Sequence, residues 1–334
     1  MAKRTALVTG GNGFVGCHVV RALLERGDHV RVLVREHADR RALEGLECEL
    51  VIGDLRDRAA VERAVRGCDE IYHVAADYRL WVIDPAPMYA ANVEGTRNVL
   101  AAARRAGVGR VIHTSTVGAL GIGHGKIGRE DTPVRVEDMV GPYKRSKFLA
   151  EQEALKAARE GLPVVIVNPS TPVGPLDYKP TPTGRIIVDF LNRRMPAYIE
   201  TGLNLAPVED VARGHLLAAE HGRIGEKYIL GGENLTLQQM LLKLAAISAL
   251  PAPRVKIPYA VAYGFALCAE AVARTVTRRA PRASLTEVRM AHKMMFFDDT
   301  KARTELGYAP GAAADALMRA IEFFRRSGAA RPTA

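Results

Sequence analysis

A chain of 334 residues, 48% hydrophobic and 25% charged, can bury a full core and suits a nucleotide-binding domain with a smaller companion, which excludes disordered, fibrous and repeat architectures. The formal net charge of +10 comes from arginines scattered over most helices, so no nucleic-acid footprint is expected, whereas anionic cofactors, phosphorylated substrates or an anionic membrane face suit such a surface. Neither the four isolated cysteines (Cys17, Cys48, Cys68, Cys268) nor the nine histidines contain a pair at redox or metal-ligand spacing, so the thiols read as reduced and no metal site is expected.

The chain opens with an apolar run, Thr5 to Thr9, a Gly-rich turn, and helical periodicity from Phe14 to Arg26. Further Val- and Ile-rich runs predict strands at His29 to Val34, Glu49 to Ile52, Glu70 to Ala75, Arg110 to Thr114 and Pro163 to Val167. Helices are predicted between them at Ala59 to Arg66, Glu94 to Ala106 and Tyr143 to Glu160. This alternation predicts an α/β fold, a doubly wound parallel sheet covered by helices on both faces. After Asn168 the prolines 169, 172, 175, 180 and 182 predict a broken loop that crosses into a second domain. Val208 to Ala219 and Lys227 to Leu230 read as a helix and strand returning to the sheet, and Thr236 with Gln239 as a capping box opening a helix to Ala246. The expected division is a Rossmann domain of 1–169 and 208–231 with a smaller α/β substrate domain of 170–207 and 232–330. Met1 to Gly10 enters a strand at once, without a signal-peptide stretch, and Tyr259 to Ala269, the most lipid-like run, is about half the roughly 20 residues of a spanning helix. A cytoplasmic location is therefore expected.

Gly10, Gly13 and Gly16 are spaced three apart where the first strand becomes a helix. There a Cβ would hold the backbone off a pyrophosphate, and the helix start offers amides to the anion. The turn, with Asn12, Phe14 and Val15, is thus a dinucleotide site. Arg35 stands at the end of the second strand, where NAD-binding folds place a carboxylate, and a guanidinium suits a 2′-phosphate, with Arg40 and Arg41 near in sequence. NADP(H) is preferred and NAD(H) remains open; solvated helix-edge charge is the plain reading of these arginines. Asp54, followed by Leu55, ends the third strand as an adenine acceptor, a helix cap or both.

Tyr143 and Lys147 are one helical turn apart, so both lie on one face. An ammonium beside the phenol is expected to lower its pKa toward neutrality for proton exchange with an alcohol or carbonyl. Upstream, the fifth strand ends in Ser115 and Thr116, hydroxyls able to bind the same substrate oxygen.

The TGxxGFxG opening, the strand-end hydroxyl and the YxxxK pair resemble the extended short-chain dehydrogenases/reductases. The resemblance also covers Val74-Ala75-Ala76, Asn92 to Thr96 and Lys301 to Tyr308, nearly the whole chain. Within that superfamily Ala75 to Trp81, Asn168 to Pro175 and Pro180 to Arg185 resemble the hopanoid-associated sugar epimerases, which are similar to dihydroflavonol reductases. The resemblance implies Thr116 as the catalytic hydroxyl, Asn92 as support for a proton relay, Ala75 and Ala76 at the cofactor, and a nicotinamide contact around Pro169 and Ser170. It also implies a homodimer. Sugar-nucleotide dehydratases carry Asp-Glu after the strand-end Thr, but Val117 and Gly118 follow here, so dehydration is not expected.

Arg35 favours net carbonyl reduction with NADPH over epimerisation through a keto intermediate, which regenerates a retained cofactor, mostly NAD. A cofactor-sensing protein without chemistry is a third reading, and the presence of both Tyr143 and Lys147 counts against it. Substrate is expected against the loop carrying Asp77, Tyr78 and Trp81 and against Thr171 and Thr183. Aromatic and Met residues from Tyr259 to Phe297 suit either a hydrophobic or sugar-containing small molecule, or ordinary core.

Overall fold

A computed structural model describes residues 3–122, 127–281 and 283–330. In chain order it comprises β1 Thr5–Thr9, α1 Phe14–Glu25, β2 His29–Val34, β3 Glu49–Ile52, α2 Arg58–Val65, β4 Glu70–His73, α3 Ala86–Tyr89, α4 Gly95–Ala106, β5 Arg110–Thr114, α5 Gly141–Arg159 and β6 Val164–Pro169. There follow β7 Thr171–Val173, α6 Pro182–Leu191, β8 Ala197–Tyr198, β9 Gly202–Pro207, α7 Val208–His221, β10 Lys227–Leu230, β11 Glu233–Thr236 and α8 Leu237–Ser248. The chain closes through β12 Val255–Lys256, α9 Tyr259–Val272, α10 Leu285–Ala291, α11 Thr300–Leu306 and α12 Ala313–Arg326.

Seven parallel strands form the main sheet in the order β3-β2-β1-β4-β5-β6-β10, as the alternation of strand and helix predicts. The order reverses between β1 and β4, which opens a crevice at the strands' C-terminal ends. The central strands β1, β4, β5 and β6 are buried on both faces because side chains alternate across the pleat, whereas the edge strand β3 leaves Leu50 and Ile52 exposed. In β5, Ile112 packs with α1 and α7 residues such as Leu23 and Ala212, whereas Val111 packs with α2, α4 and α5 through Val61, Val99 and Ala154. A second sheet, β11-β9-β7, carries its own core against α6, α8 and α12, including Leu205, Met240 and Phe324.

Two local readings need correction. The strand predicted over Glu70 to Ala75 ends at His73, because the next residues turn toward the end of β1, where Val74 and Ala75 donate to the carbonyl and hydroxyl of Thr9. The Pro-rich stretch is more ordered than a broken loop: Pro169 ends β6, Pro172 lies in β7, and Pro182 sits in the first turn of α6. A proline fits β7 because that strand pairs only with β9 and leaves one edge free. Pro182 fits a helix start, which Thr181 caps by accepting from the Gly184 amide at 3.1 Å. The Thr236–Gln239 capping box forms in both directions, at 3.1 and 2.8 Å, and opens α8.

Candidate active site

The turn after β1 is shaped by backbone contacts that leave no room for side chains. Gly10 has φ +70°, and a Cβ there would lie 2.6 Å from the Ala75 Cα; one on Gly16 would lie 2.1 Å from the Gly10 carbonyl oxygen. Gly13 precedes α1 without offering a side-chain cap, so no side chain covers the first amides of the helix, those of Phe14 and Val15. Asn12 donates to the Asp39 carbonyl at 3.0 Å and ties the turn to the segment after β2. Because the obstacle at Gly16 is backbone, Gly16→Ala is expected to cost about 1–3 kcal/mol of stability and to abolish dinucleotide binding; urea unfolding and cofactor fluorescence titration check both.

The three arginines expected near a 2′-phosphate differ in availability. Arg41 is engaged in a two-pronged ion pair with Asp39 and stacks 4.8 Å from the Tyr178 ring centre, and Arg40 donates to the Glu36 carbonyl. Arg35 is exposed and ion-paired with no carboxylate among the described residues. It is near enough to help hold Asp54 below the usual carboxylate range, although the larger cause is Arg56, which pairs with Asp54 at 2.9 Å. Leu55 packs under Gly95, and its carbonyl accepts from Asn98 at 2.8 Å.

Gly141 at φ +80° and Pro142 start α5 and present Tyr143 in its first turn. The Tyr143 hydroxyl meets that of Thr116, which lowers its pKa somewhat, but burial dominates and pushes the phenol up to about 12. Lys147, also buried, donates to the Thr114 carbonyl at 2.6 Å, and desolvation brings its ammonium down to about 8. The expected acidified phenol is therefore corrected. Lys147 is not among the causes acting on Tyr143, and the low-dielectric surroundings disfavour the charged form of both groups. Tyr143 thus holds its proton at neutral pH.

Asn92 lies buried between the Asp77 loop and α5. Its side chain accepts from the Asp77 amide at 2.7 Å and donates to the Asp77 carbonyl and the Ser146 hydroxyl, each at 2.9 Å. Those bonds brace the Asp77 loop against α5. Of the two strand-end hydroxyls, Thr116 faces Tyr143, whereas Ser115 is buried with no partner among the described residues. Tyr78 is close enough to Tyr143 to raise its pKa; its own hydroxyl donates to the Lys179 carbonyl at 3.4 Å. Asp77 pairs with Arg79, and the Trp81 indole N–H is buried without a partner among the described residues. Pro169 closes β6, and Ser170 donates its amide to the Leu230 carbonyl at 3.1 Å while its hydroxyl has no partner among the described residues. Ala76 and Thr171 are partly buried; Thr183 lies buried in the first turn of α6.

Two features escape the sequence reading. Lys144 is buried, meets the Met295 sulfur at 3.8 Å and no carboxylate among the described residues, and burial brings it down to about 8; its i, i+3 spacing to Lys147 is the signal for a shared face. Beneath the centre, His73 bridges Thr9 at 2.7 Å and Thr96 at 2.9 Å and lies 5.4 Å from His113, ring centre to ring centre. Their register as partners on β4 and β5 was unavailable before the strands were paired.

Residues 6–231 match the model of the NAD dependent epimerase/dehydratase family. A relative from Synechocystis sp., named as dihydroflavonol 4-reductase-like, is 46% identical over 96% of this chain and 94% of its own. Sterol demethylase protein B of Methylococcus capsulatus is 38% identical over 97% of this chain and 99% of its own. The crystal structure of a nucleoside-diphosphate-sugar epimerase from Pseudomonas aeruginosa superposes with a TM-score of 0.83 at 30% identity, covering 99% of this chain and 100% of that one. The chain belongs to the NAD dependent epimerase/dehydratase family of extended short-chain dehydrogenases/reductases, and is an NAD(P)-dependent enzyme of the oxidoreductase/epimerase kind.

Proposed function

We propose that the protein is an NADP(H)-dependent carbonyl reductase. The observation that carries this reading is the Thr116–Tyr143 hydroxyl pair with the phenol proton retained, since reduction of a ketone or aldehyde needs a proton donor at the carbonyl oxygen. The glycine cradle, the orphaned Ser170 hydroxyl and the unpaired Arg35 fit a phosphorylated dinucleotide. The Phe14 and Val15 amides would hold its pyrophosphate, Arg35 its 2′-phosphate and Lys147 its nicotinamide ribose. When bound, the nicotinamide supplies the hydride. Thr116 and Tyr143 grip the carbonyl oxygen from two directions, and Tyr143 passes its proton to that oxygen as negative charge develops. Lys147, fixed on Thr114, is a donor placed one turn along the same helix face. Residues 1–169 and 208–231 form the cofactor half and 170–207 with 232–330 the substrate half. Tyr78 and Trp81 contact the substrate, the free indole N–H being a donor for a polar atom on an otherwise apolar molecule.

NADPH oxidation against a panel of ketones and aldehydes tests the reading; no turnover with any carbonyl overturns it. Sugar epimerisation is a second reading, supported by the likeness to the Pseudomonas aeruginosa epimerase. It requires a cofactor regenerated at every turnover, so tightly retained NAD in the purified protein would favour it. Arg35→Ser is expected to raise KM for NADPH about 10–100-fold through the loss of a charged hydrogen-bond pair and to leave KM for NADH within a factor of about two; steady-state kinetics with both cofactors checks this.

A further inference from the structure

Helix α9 and the π turn that continues it, Ala273–Thr277, reverse the usual distribution of side chains on a surface helix. Small residues face inward: Ala262, Ala266 and Ala273 are buried, with Ala262 and Ala266 packed on Val288 of α10. The larger apolar residues face out. Val261, Phe265, Cys268, Val272 and Val276 recur every three or four positions as one exposed stripe, Phe265 at 59% and Val276 at 74% exposure. Water does not reward such a face, and its contiguity separates it from the scattered apolar residues normal on protein surfaces.

The charge around the stripe is of one sign. The single acidic residue of this segment, Glu270, is turned inward, accepting from the Leu285 amide at 3.0 Å and pairing with Arg274 at 2.8 Å. Beyond the stripe, Arg278 and Arg279 are exposed and ion-paired with no carboxylate among the described residues. No described helix is long and apolar enough to cross a membrane.

We propose that the α9 face docks in the plane of an anionic lipid bilayer, with Val261, Phe265, Val272 and Val276 in the boundary of the acyl chains and Arg278 and Arg279 among the acidic headgroups. A bilayer is the occupant favoured over a second copy because an apolar stripe ending in uncompensated cations matches anionic headgroups above hydrocarbon, whereas the same segment of a second copy has no outward acid to meet them, Glu270 being turned inward. Long arginine side chains reach the headgroup level while the helix itself lies deeper. Through α10, whose Thr286 lies against Gly141 at the start of α5, this face is attached directly to the helix that carries Tyr143. Docking would therefore hold the helix that carries Tyr143 close to the membrane surface. The proposal goes beyond the carbonyl-reductase reading and stands without it.

Flotation of the full-length protein with vesicles of phosphatidylcholine, alone or mixed with equal phosphatidylglycerol, tests it, alongside Phe265→Gln/Val272→Gln and Arg278→Glu/Arg279→Glu. Far-UV circular dichroism melts check that the variants fold, which exposed positions favour. The protein is expected to float with the anionic vesicles, to stay unbound with phosphatidylcholine alone, and to lose at least about ten-fold in partitioning in either double variant. Absence of binding to anionic vesicles overturns the proposal, as does equal binding to the neutral ones or wild-type binding by either variant. Self-association in light scattering that Phe265→Gln/Val272→Gln dissolves, without vesicle binding, overturns it in favour of a second copy of the chain.

Discussion

Tyr143→Phe is expected to lower kcat for NADPH-dependent carbonyl reduction by about 10²–10⁴-fold while changing the Kd for NADPH by no more than a factor of about two. The phenol is placed against the Thr116 hydroxyl, and burial pushes it up to about 12, so at neutral pH the variant removes the acid without removing a charge. Packing is preserved because only an oxygen is lost. The ring stays at the start of α5, held by Gly141 and Pro142, and the glycine cradle is untouched. Stopped-flow measurement of hydride transfer, with fluorescence titration of NADPH, separates chemistry from binding. A variant that reduces carbonyls at the wild-type rate assigns the proton to another group and removes Tyr143 from the mechanism.

Acid is expected to begin destabilising this protein at about pH 6.5, well above the range in which ordinary carboxylates titrate. His73 is held down to about 3 and His215 to about 4, and His113 lies far below its ordinary value; burial is the first cause in all three, with Lys147 adding to it for His73 and His113. Burial favours the neutral form of His215, and its bond to the Val211 carbonyl at 2.7 Å fixes the tautomer while the other nitrogen meets the Thr114 hydroxyl. A histidine whose pKa is depressed in the folded state binds its proton more readily in the unfolded chain. Its contribution is complete above the unfolded value near 6.5 and is lost as pH falls toward the folded value. Asp177 opposes this trend, because burial raises it to about 6 and folding favours its protonated form; Glu130 is raised for the same reason. The balance predicts a loss of roughly 2–3 kcal/mol per pH unit between the ordinary and the buried histidine values. Against a stability of about 5–15 kcal/mol, the native state gives way near pH 4. Urea titrations at about pH 7, 6 and 5 measure the slope, and a flat profile would show that these rings take up protons in the native fold.

Local features carry most of what is legible in the sequence. The glycine spacing, the strand runs and the Tyr143–Lys147 turn each depend on a few neighbouring residues, and steric rules act over that range. The capping box of α8 and the termination of β1 in Gly10 follow for the same reason. Proline was misleading after Asn168, since the same ring that breaks a central strand is accommodated on the free edge of β7 and in the first turn of α6.

What the amino-acid order determined by itself is the doubly wound sheet, the anion-binding turn and the presence of a tyrosine and lysine on one helix face. Only the tertiary structure decided that Tyr143 keeps its proton, that Lys147 donates to the Thr114 carbonyl, that Asn92 braces the Asp77 loop and that α9 turns its bulky residues outward. The physical reason is range. Periodicity and turn sterics are set within a few residues, whereas desolvation and hydrogen-bond partnership depend on which distant segments close over a group, and no spacing along the chain encodes that directly.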